Sequence, residues 1–136
     1  KLGSFVIPTS VKIEQEISLL SNDEKKEYLE LMDMEEPVLN KIIFEGYKML
    51  GLETFFTAGP NEIKAWTIKS GSLAPNAAGV IHTDFERGFI KAEVIDYDDF
   101  IECSGEQGAK ENGKLRLEGK EYVVKDGDII HFKFNV

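Results

Sequence analysis

The chain has 136 residues, 42% of them hydrophobic, with a formal net charge of −9. That length suits one ordinary domain, or a small domain carrying a helical segment, and the hydrophobic share is enough for a real core. The charge argues against nonspecific adhesion to nucleic acid or anionic membrane, no apolar run approaches the ~20 residues that span a bilayer, and a single cysteine, Cys103, excludes an internal disulfide.

Phe5–Ile7 is a short apolar run ended by Pro8 and predicts a buried strand. Since that run follows Lys1 almost at once, an upstream domain is expected before it. Ser10 is placed to cap a first helix in which Ile13, Ile17 and Leu20 share one face. Ser21 with Glu24 three residues on fits a capping box for a second helix carrying Tyr28, Leu29 and Met32. Pro37 suits the first turn of a third helix, where its missing N–H costs nothing. That helix presents Leu39, Ile42, Ile43, Tyr47 and Leu50, and Gly51 ends it. These amphipathic helices need something to pack on.

After Gly51 the period changes. Glu53–Thr57 and Ile63–Thr67 read as a hairpin about the turn residues Gly59, Pro60 and Asn61, with Gly71 beyond it. Ala77–Ile81 predicts a short helix with Pro75 near its first turn. Phe89–Ile95 predicts a strand, Asp98–Ile101 a helical turn, and the Gly-rich Ser104–Asn112 a loop. Strand character resumes over Leu115–Val124, with a turn at Glu118–Gly119, and over Ile129–Phe134, entered through Asp126, Gly127 and Asp128. The fold class is α+β, and this order of elements is that of a β-grasp (ubiquitin-like) sheet wrapped on one helix. No internal repeat is evident.

The chemistry-bearing residues are sparse. Gly108 to Lys114 matches the first seven positions of a P-loop, but Leu115 stands where a hydroxyl must reach Mg²⁺, and the following residues alternate as a strand rather than opening a helix. His82, His131 and Cys103 lack the spacing of a zinc site, and Cys103 has no orienting partner for nucleophilic work. His82, in Ile81-His82-Thr83-Asp84, reads as an Asx-type or helix-end residue. The acidic run Asp96–Asp99 reads as a helix N-terminus rather than a magnesium site. Trp66 is a candidate base-stacking platform, against the plainer reading of a strand aromatic in the core. Ser10, Val11 and Lys12 follow an apolar run and precede a helix, where a base-binding loop lies in Ras-like NTPases; capping by Ser10 is the plainer reading. No catalytic residue and no metal ligand set is expected. The single cysteine and the lack of a glycosylation sequon set the expectation of a cytoplasmic address.

Longer runs are more specific. Phe56-Thr57-Ala58-Gly59, Ala65-Trp66-Thr67-Ile68, the stretch from Ala74 to Ile90, Tyr97-Asp98-Asp99-Phe100, Gly105 to Lys110, and Asp126 to Val136 together resemble the C-terminal region of YchF-type proteins, the Obg-like P-loop ATPases. Ile81 to Asp84 and Asp126 to Asp128 also resemble the TGS domains of threonyl-tRNA synthetases and stringent-response synthetases. The resemblance implies a TGS domain of β-grasp fold over residues 52–136. Residues 1–51 would be the end of a P-loop NTPase domain and a helical linker, with Val6-Ile7-Pro8 its last strand and Ser10, Val11 and Lys12 a remnant of its base loop.

It further implies a parent that binds and hydrolyses ATP, possibly also GTP, with Mg²⁺, through motifs lying upstream; this segment would need no cofactor. Implied partners are the ribosome, through ribosomal RNA or translation factors, and the parent NTPase domain, with neither membrane nor DNA involved. The residues expected to touch RNA or a partner are Lys64, Trp66, Lys69, Arg87, Lys91, Lys110, Lys114 and Arg116. With both halves similarly acidic, such a site must arise from clustering of these cations. The alternative expectation is an intramolecular regulator that packs on the NTPase domain and gates its turnover.

Overall fold

A computed structural model describes residues 6–59 and 62–135. The chain divides into two compact units, Lys1–Leu50 and Gly51–Val136.

The first unit holds three helices, α1 (Val11–Ser18), α2 (Asn22–Leu31) and α3 (Val38–Met49). Their starts are set by side chains that satisfy orphan backbone donors. The Ser10 hydroxyl accepts from the Ile13 N–H at 3.5 Å. At α2 the capping box is complete: the Ser21 hydroxyl accepts from the Glu24 N–H, and the Glu24 carboxylate accepts from the Ser21 N–H at 2.8 Å. Those bonds hold the Glu24 carboxyl below its ordinary range. Pro37, at the N-cap of α3, has no side chain able to cap. Glu14 of α1 supplies the cap from elsewhere, its two oxygens accepting from the Val38 and Leu39 N–H groups at 2.9 and 3.2 Å. A Tyr28 hydroxyl donating to Glu16 at 2.7 Å ties α2 to α1. Only Ile17 is buried among the described apolar residues of this unit.

The expected strand at Phe5–Ile7 is not observed. Val6 and Ile7 are irregular, Val6 is 82% exposed, and Phe5 lies outside the described residues. An apolar run becomes a strand only with a ladder to join, and the described residues of this unit contain none.

The second unit is a five-stranded sheet of order β2-β1-β5-β3-β4, comprising β1 (Leu52–Ala58), β2 (Ile63–Lys69), β3 (Phe89–Ile95), β4 (Arg116–Glu118) and β5 (Ile129–Phe134). β1 and β2 form an antiparallel hairpin in which Phe55 faces Trp66 and Thr57 faces Lys64. Pro60 and Asn61 of its predicted turn lie outside the described residues. β3 is antiparallel to both β4 and β5, with Ala92 opposite Phe132 and Val94 opposite Ile130. β1 and β5 are parallel and share one pair, Phe56 with Ile129.

Between β2 and β3 run α4 (Ala74–Ile81) and α5 (Thr83–Arg87); between β3 and β4 run α6 (Tyr97–Glu102) and α7 (Glu106–Glu111). The strand alternation sends Phe55, Ile68, Ala92, Val94, Ile130 and Phe132 to one face, where they meet Ala74, Ala77 and Ala78 of α4 and Val124. Three alanines let the helix backbone approach the sheet. Phe132 sits edge-on to Phe55, with ring centroids 5.8 Å apart.

Two expectations need correction. Ser104–Asn112 contains α7 rather than a loop throughout. Ala109 is fully buried there, the Gln107 amide donates to Glu111 one turn on, and Gly108 allows a close approach: a Cβ at Gly108 would lie 1.9 Å from the Cys103 carbonyl oxygen. Glycine here serves contact between α6 and α7, not loop freedom. The Leu115–Val124 strand shrinks to Arg116–Glu118. Beyond Gly119 the chain turns to the segment before α4, where Val123 bridges Leu73 and the Val124 N–H donates to the Ser72 carbonyl at 3.0 Å. Among the described residues no helix is long and apolar enough to cross a membrane.

Candidate functional site

The cations expected to make one basic face do not converge. Lys64 and Lys69 both lie on β2, but five residues apart, so they point to opposite faces of the sheet. Lys69 pairs with Leu52 at the start of β1, whereas Lys91 of β3 pairs with Lys133 near the end of β5. Since β1 and β5 run parallel, those two lysines occupy opposite ends of the sheet. Arg87 closes α5 in solvent, 3.9 Å from Asp84, and Lys110 is exposed on α7. Lys114 is paired with Asp99 at 2.9 Å, an interaction that raises its ammonium pKa.

Arg116 is turned inward. Its guanidinium donates to Asp96 at 2.6 and 3.3 Å and to the Tyr122 hydroxyl at 3.3 Å, with Glu118 at 3.4 Å and Asp128 at 3.8 Å. The hydrogen bond from Arg116 holds the Asp96 carboxyl below its ordinary range. Asp128 is 2% exposed and accepts from the Tyr122 hydroxyl at 2.7 Å and the Lys125 N–H at 2.9 Å. Burial pushes the Asp128 carboxyl up, and burial with the bond to Asp128 raises the Tyr122 phenol. Two members of the acidic run, Asp96 and Asp99, thus hold two of the seven cations, which removes Arg116 and weakens Lys114 as free contacts.

A groove forms where β1 and β5 part. Among the described residues they share no pair beyond Phe56 and Ile129. The resulting groove, about 510 Å³, is lined by Trp66, Phe85, Phe134, Lys64, Thr57 and His131 among others. Phe85 stacks on Phe134 with centroids 3.8 Å apart. Trp66 is half-buried, its indole N–H donates to the Thr57 hydroxyl at 3.0 Å, and the Lys64 ammonium lies 5.0 Å from its ring centre. Glu62 is the one acid among the lining residues. Aromatic faces and a cation can stack on and attract a planar anionic ligand; they provide no nucleophile paired with a base.

The remaining sequence candidates are placed in local roles. Ser10 caps α1, Val11 is exposed, and Lys12 lies 4.0 Å from Glu16 one turn on. His82 is the N-cap of α5, its Nδ1 accepting from the Asp84 N–H at 3.2 Å, the helix-end reading. Gly108 lies inside a helix and Gly113 follows it, so the P-loop near-match runs helix-then-strand, the reverse of a phosphate cradle. The groove itself was not foreseen: its walls come from β1, β2, α4, α5 and β5. Lys64 and Trp66 are the expected contacts that line it.

Comparison with known proteins bears on all of this. Residues 52–135 match the family model YchF-GTPase_C, described as "Protein of unknown function (DUF933)". The chain is 60% identical, over its whole length, to a Pasteurella multocida protein named Ribosome-binding ATPase YchF, of which it covers 38%. It is 56% identical over 133 residues to Obg-like ATPase 1 of Xenopus laevis, covering 98% of this chain and 33% of that protein. The solved structure of the Schizosaccharomyces pombe YchF GTPase superposes with a TM-score of 0.82 at 40% identity, over 96% of this chain and 34% of that one. The chain thus spans little more than a third of the length of these relatives.

Proposed function

The chain belongs to the YchF family, and we propose that its sheet unit is a non-catalytic TGS module that docks a larger nucleotide hydrolase on ribosomal RNA. The β2-β1-β5-β3-β4 order, with first and last strands parallel and α4 laid across one face, supports the β-grasp reading. The boundary at Gly51 supports assigning residues 52–136 to that domain and residues 1–51 to a helical linker and the end of an NTPase domain. ATP or GTP, with Mg²⁺, would be held by that upstream domain. The residues present here do not fit a nucleotide: Ser10 is spent on a cap and Gly108 is locked in α7. A cytoplasmic address follows from the same reading.

The observation that carries the proposal is the groove, where Trp66, Phe85 and Phe134 meet Lys64. Bases offer π-faces to such a site whatever their sequence, and a phosphate can pair with Lys64. The relatives named ribosome-binding make ribosomal RNA the partner to test. Sedimentation of the chain with ribosomes over a salt series decides it. Trp66→Ala is expected to cost about 1–3 kcal/mol of binding, and Lys64→Glu to flatten the salt slope by about one. Unchanged binding by both variants, with folding checked by circular dichroism, sinks the RNA reading.

A second reading has its own observation. α3 exposes Leu39, Ile42, Ile43 and Phe44, an apolar face that no described residue of its own unit covers. That supports an intramolecular role, in which the helical linker and the sheet unit together pack on the NTPase domain and gate turnover. Hydrolysis by the full-length protein without ribosomes, compared with and without residues 52–136, tests it; no change removes it.

A further inference from the structure

We propose that Glu93, Glu106 and His131 form a binding site for a divalent first-row transition cation, on the face of the sheet opposite α4. Glu93 of β3 and His131 of β5 are directly opposed in the antiparallel ladder, so their side chains leave the same face side by side. Glu106 opens α7, which brings a second carboxylate to the pair. One ligand atom from each lies within 4.8 Å of the other two. Beside them is a small cavity of about 10 Å³, walled otherwise by Ala58, Ile95, Leu115, Ile129 and Ile130, close to the room one small ion or water needs.

The electrostatics already favour a cation there. The Lys133 ammonium lies 3.2 Å from Glu93 and 3.5 Å from Nε2 of His131. In the tautomer with Nε2 unprotonated, the lone pair that faces Lys133 is the one a metal would take once Lys133 moves away. Ligand atoms around a tetrahedral ion stand about 3.4 Å apart, so closing the triad takes shifts of roughly 1 Å. Glu106 and His131 are both exposed and free to make them. One imidazole with two carboxylates suits Zn²⁺, Co²⁺ or Ni²⁺ better than Mg²⁺ or Ca²⁺, which prefer oxygen alone. Two carboxylates neutralise the ion, and solvent completes its shell. Lys133, on the long flexible stem of an amphipathic side chain, swings out when the metal enters.

That competition makes the inference sharp. Zn²⁺ titrated into the chain by calorimetry, and Co²⁺ by its visible absorption, should bind one ion. His131→Ala and Glu106→Gln should each weaken binding by at least ~10-fold, whereas Lys133→Met should tighten it by several-fold. His82→Ala, which alters the other imidazole, should change nothing. The site is wrong if His131→Ala and Glu106→Gln bind as the wild type does, if His82→Ala alone abolishes binding, or if Lys133→Met weakens it. All four positions are on the surface or half-buried, and circular dichroism shows whether each variant folds. The readout involves no RNA, so this inference stands or falls apart from the ribosome reading.

Discussion

The helical unit and the sheet unit are built on different physics. In the helical unit the visible order comes from ends: Ser10, Ser21 with Glu24, and Glu14 reaching across to α3 satisfy the first-turn donors, while among the described residues one apolar side chain, Ile17, is buried. In the sheet unit the order comes from a shared interior, with Phe55, Val94, Ile130 and Val124 almost wholly removed from water. Helices held by caps are individually marginal, whereas a core couples every strand that contributes to it. The difference teaches where each unit is vulnerable: the first at single polar atoms, the second at buried volume.

The comparison breaks most visibly at Phe55. Phe55→Ala should cost about 3–5 kcal/mol, read as a lower denaturant midpoint for loss of the sheet's near-ultraviolet signal, with helical signal from residues 11–49 less affected. Equal loss from both units would mean they share one cooperative core. A smaller effect is expected at the polar network. Arg116→Ala should destabilise the sheet unit by about 1–3 kcal/mol at neutral pH, the range for hydrogen bonds to charged groups and trimmed by partial exposure.

The sign of its pH dependence follows from Asp96. Its folded pKa is depressed, so the pair's stability is present above the unfolded carboxylate value near 3.8 and is lost as pH falls through the folded one. Wild type and Arg116→Ala should therefore converge in acid. Asp128 works the other way: its raised pKa makes ionisation costly, a cost absent below the unfolded value and complete above the folded one. If the gap between the two proteins widens in acid, the assignment to Asp96 is wrong. The smallest effect belongs to Glu14→Ala, about 0.5–2 kcal/mol of helix stability, seen as reduced helical ellipticity with the sheet's unfolding unchanged. An unaltered helix signal would mean that water caps α3 as well as Glu14 does.

What was legible in the sequence follows the same divide. Local signals were readable: the Ser21–Glu24 box, the Gly51 terminus, the hairpin alternation of Ile63–Thr67 and the helix-end role of His82 all involve neighbours within four residues. α7 was not readable, because Gly108 looks like loop chemistry until the Cys103 carbonyl is seen against it. Arg116 read as a free cation because Asp96, Tyr122 and Asp128 approach from three other segments. Most of the groove, and the Glu93, Glu106 and His131 triad, were invisible for the same reason: ligands drawn from separate strands and a helix leave no spacing pattern. Of the expected contacts, Lys64 and Trp66 line the groove, and the family resemblance pointed at the whole.

The single pair joining β1 to β5 has a kinetic consequence. The strand last in sequence order, Ile129–Phe134, is the central one of the sheet, flanked by β1 and β3. Before it docks, no strand pairs the β1–β2 hairpin with the β3–β4 pair, and only α4 and the Leu73–Val123 bridge lie between them. Its contact with β1 closes the whole stretch of chain between Phe56 and Ile129, and such non-local closure is slow. Assembly of this sheet should thus be late and all at once, with the two pieces exposing unpaired edges until the keystone strand arrives.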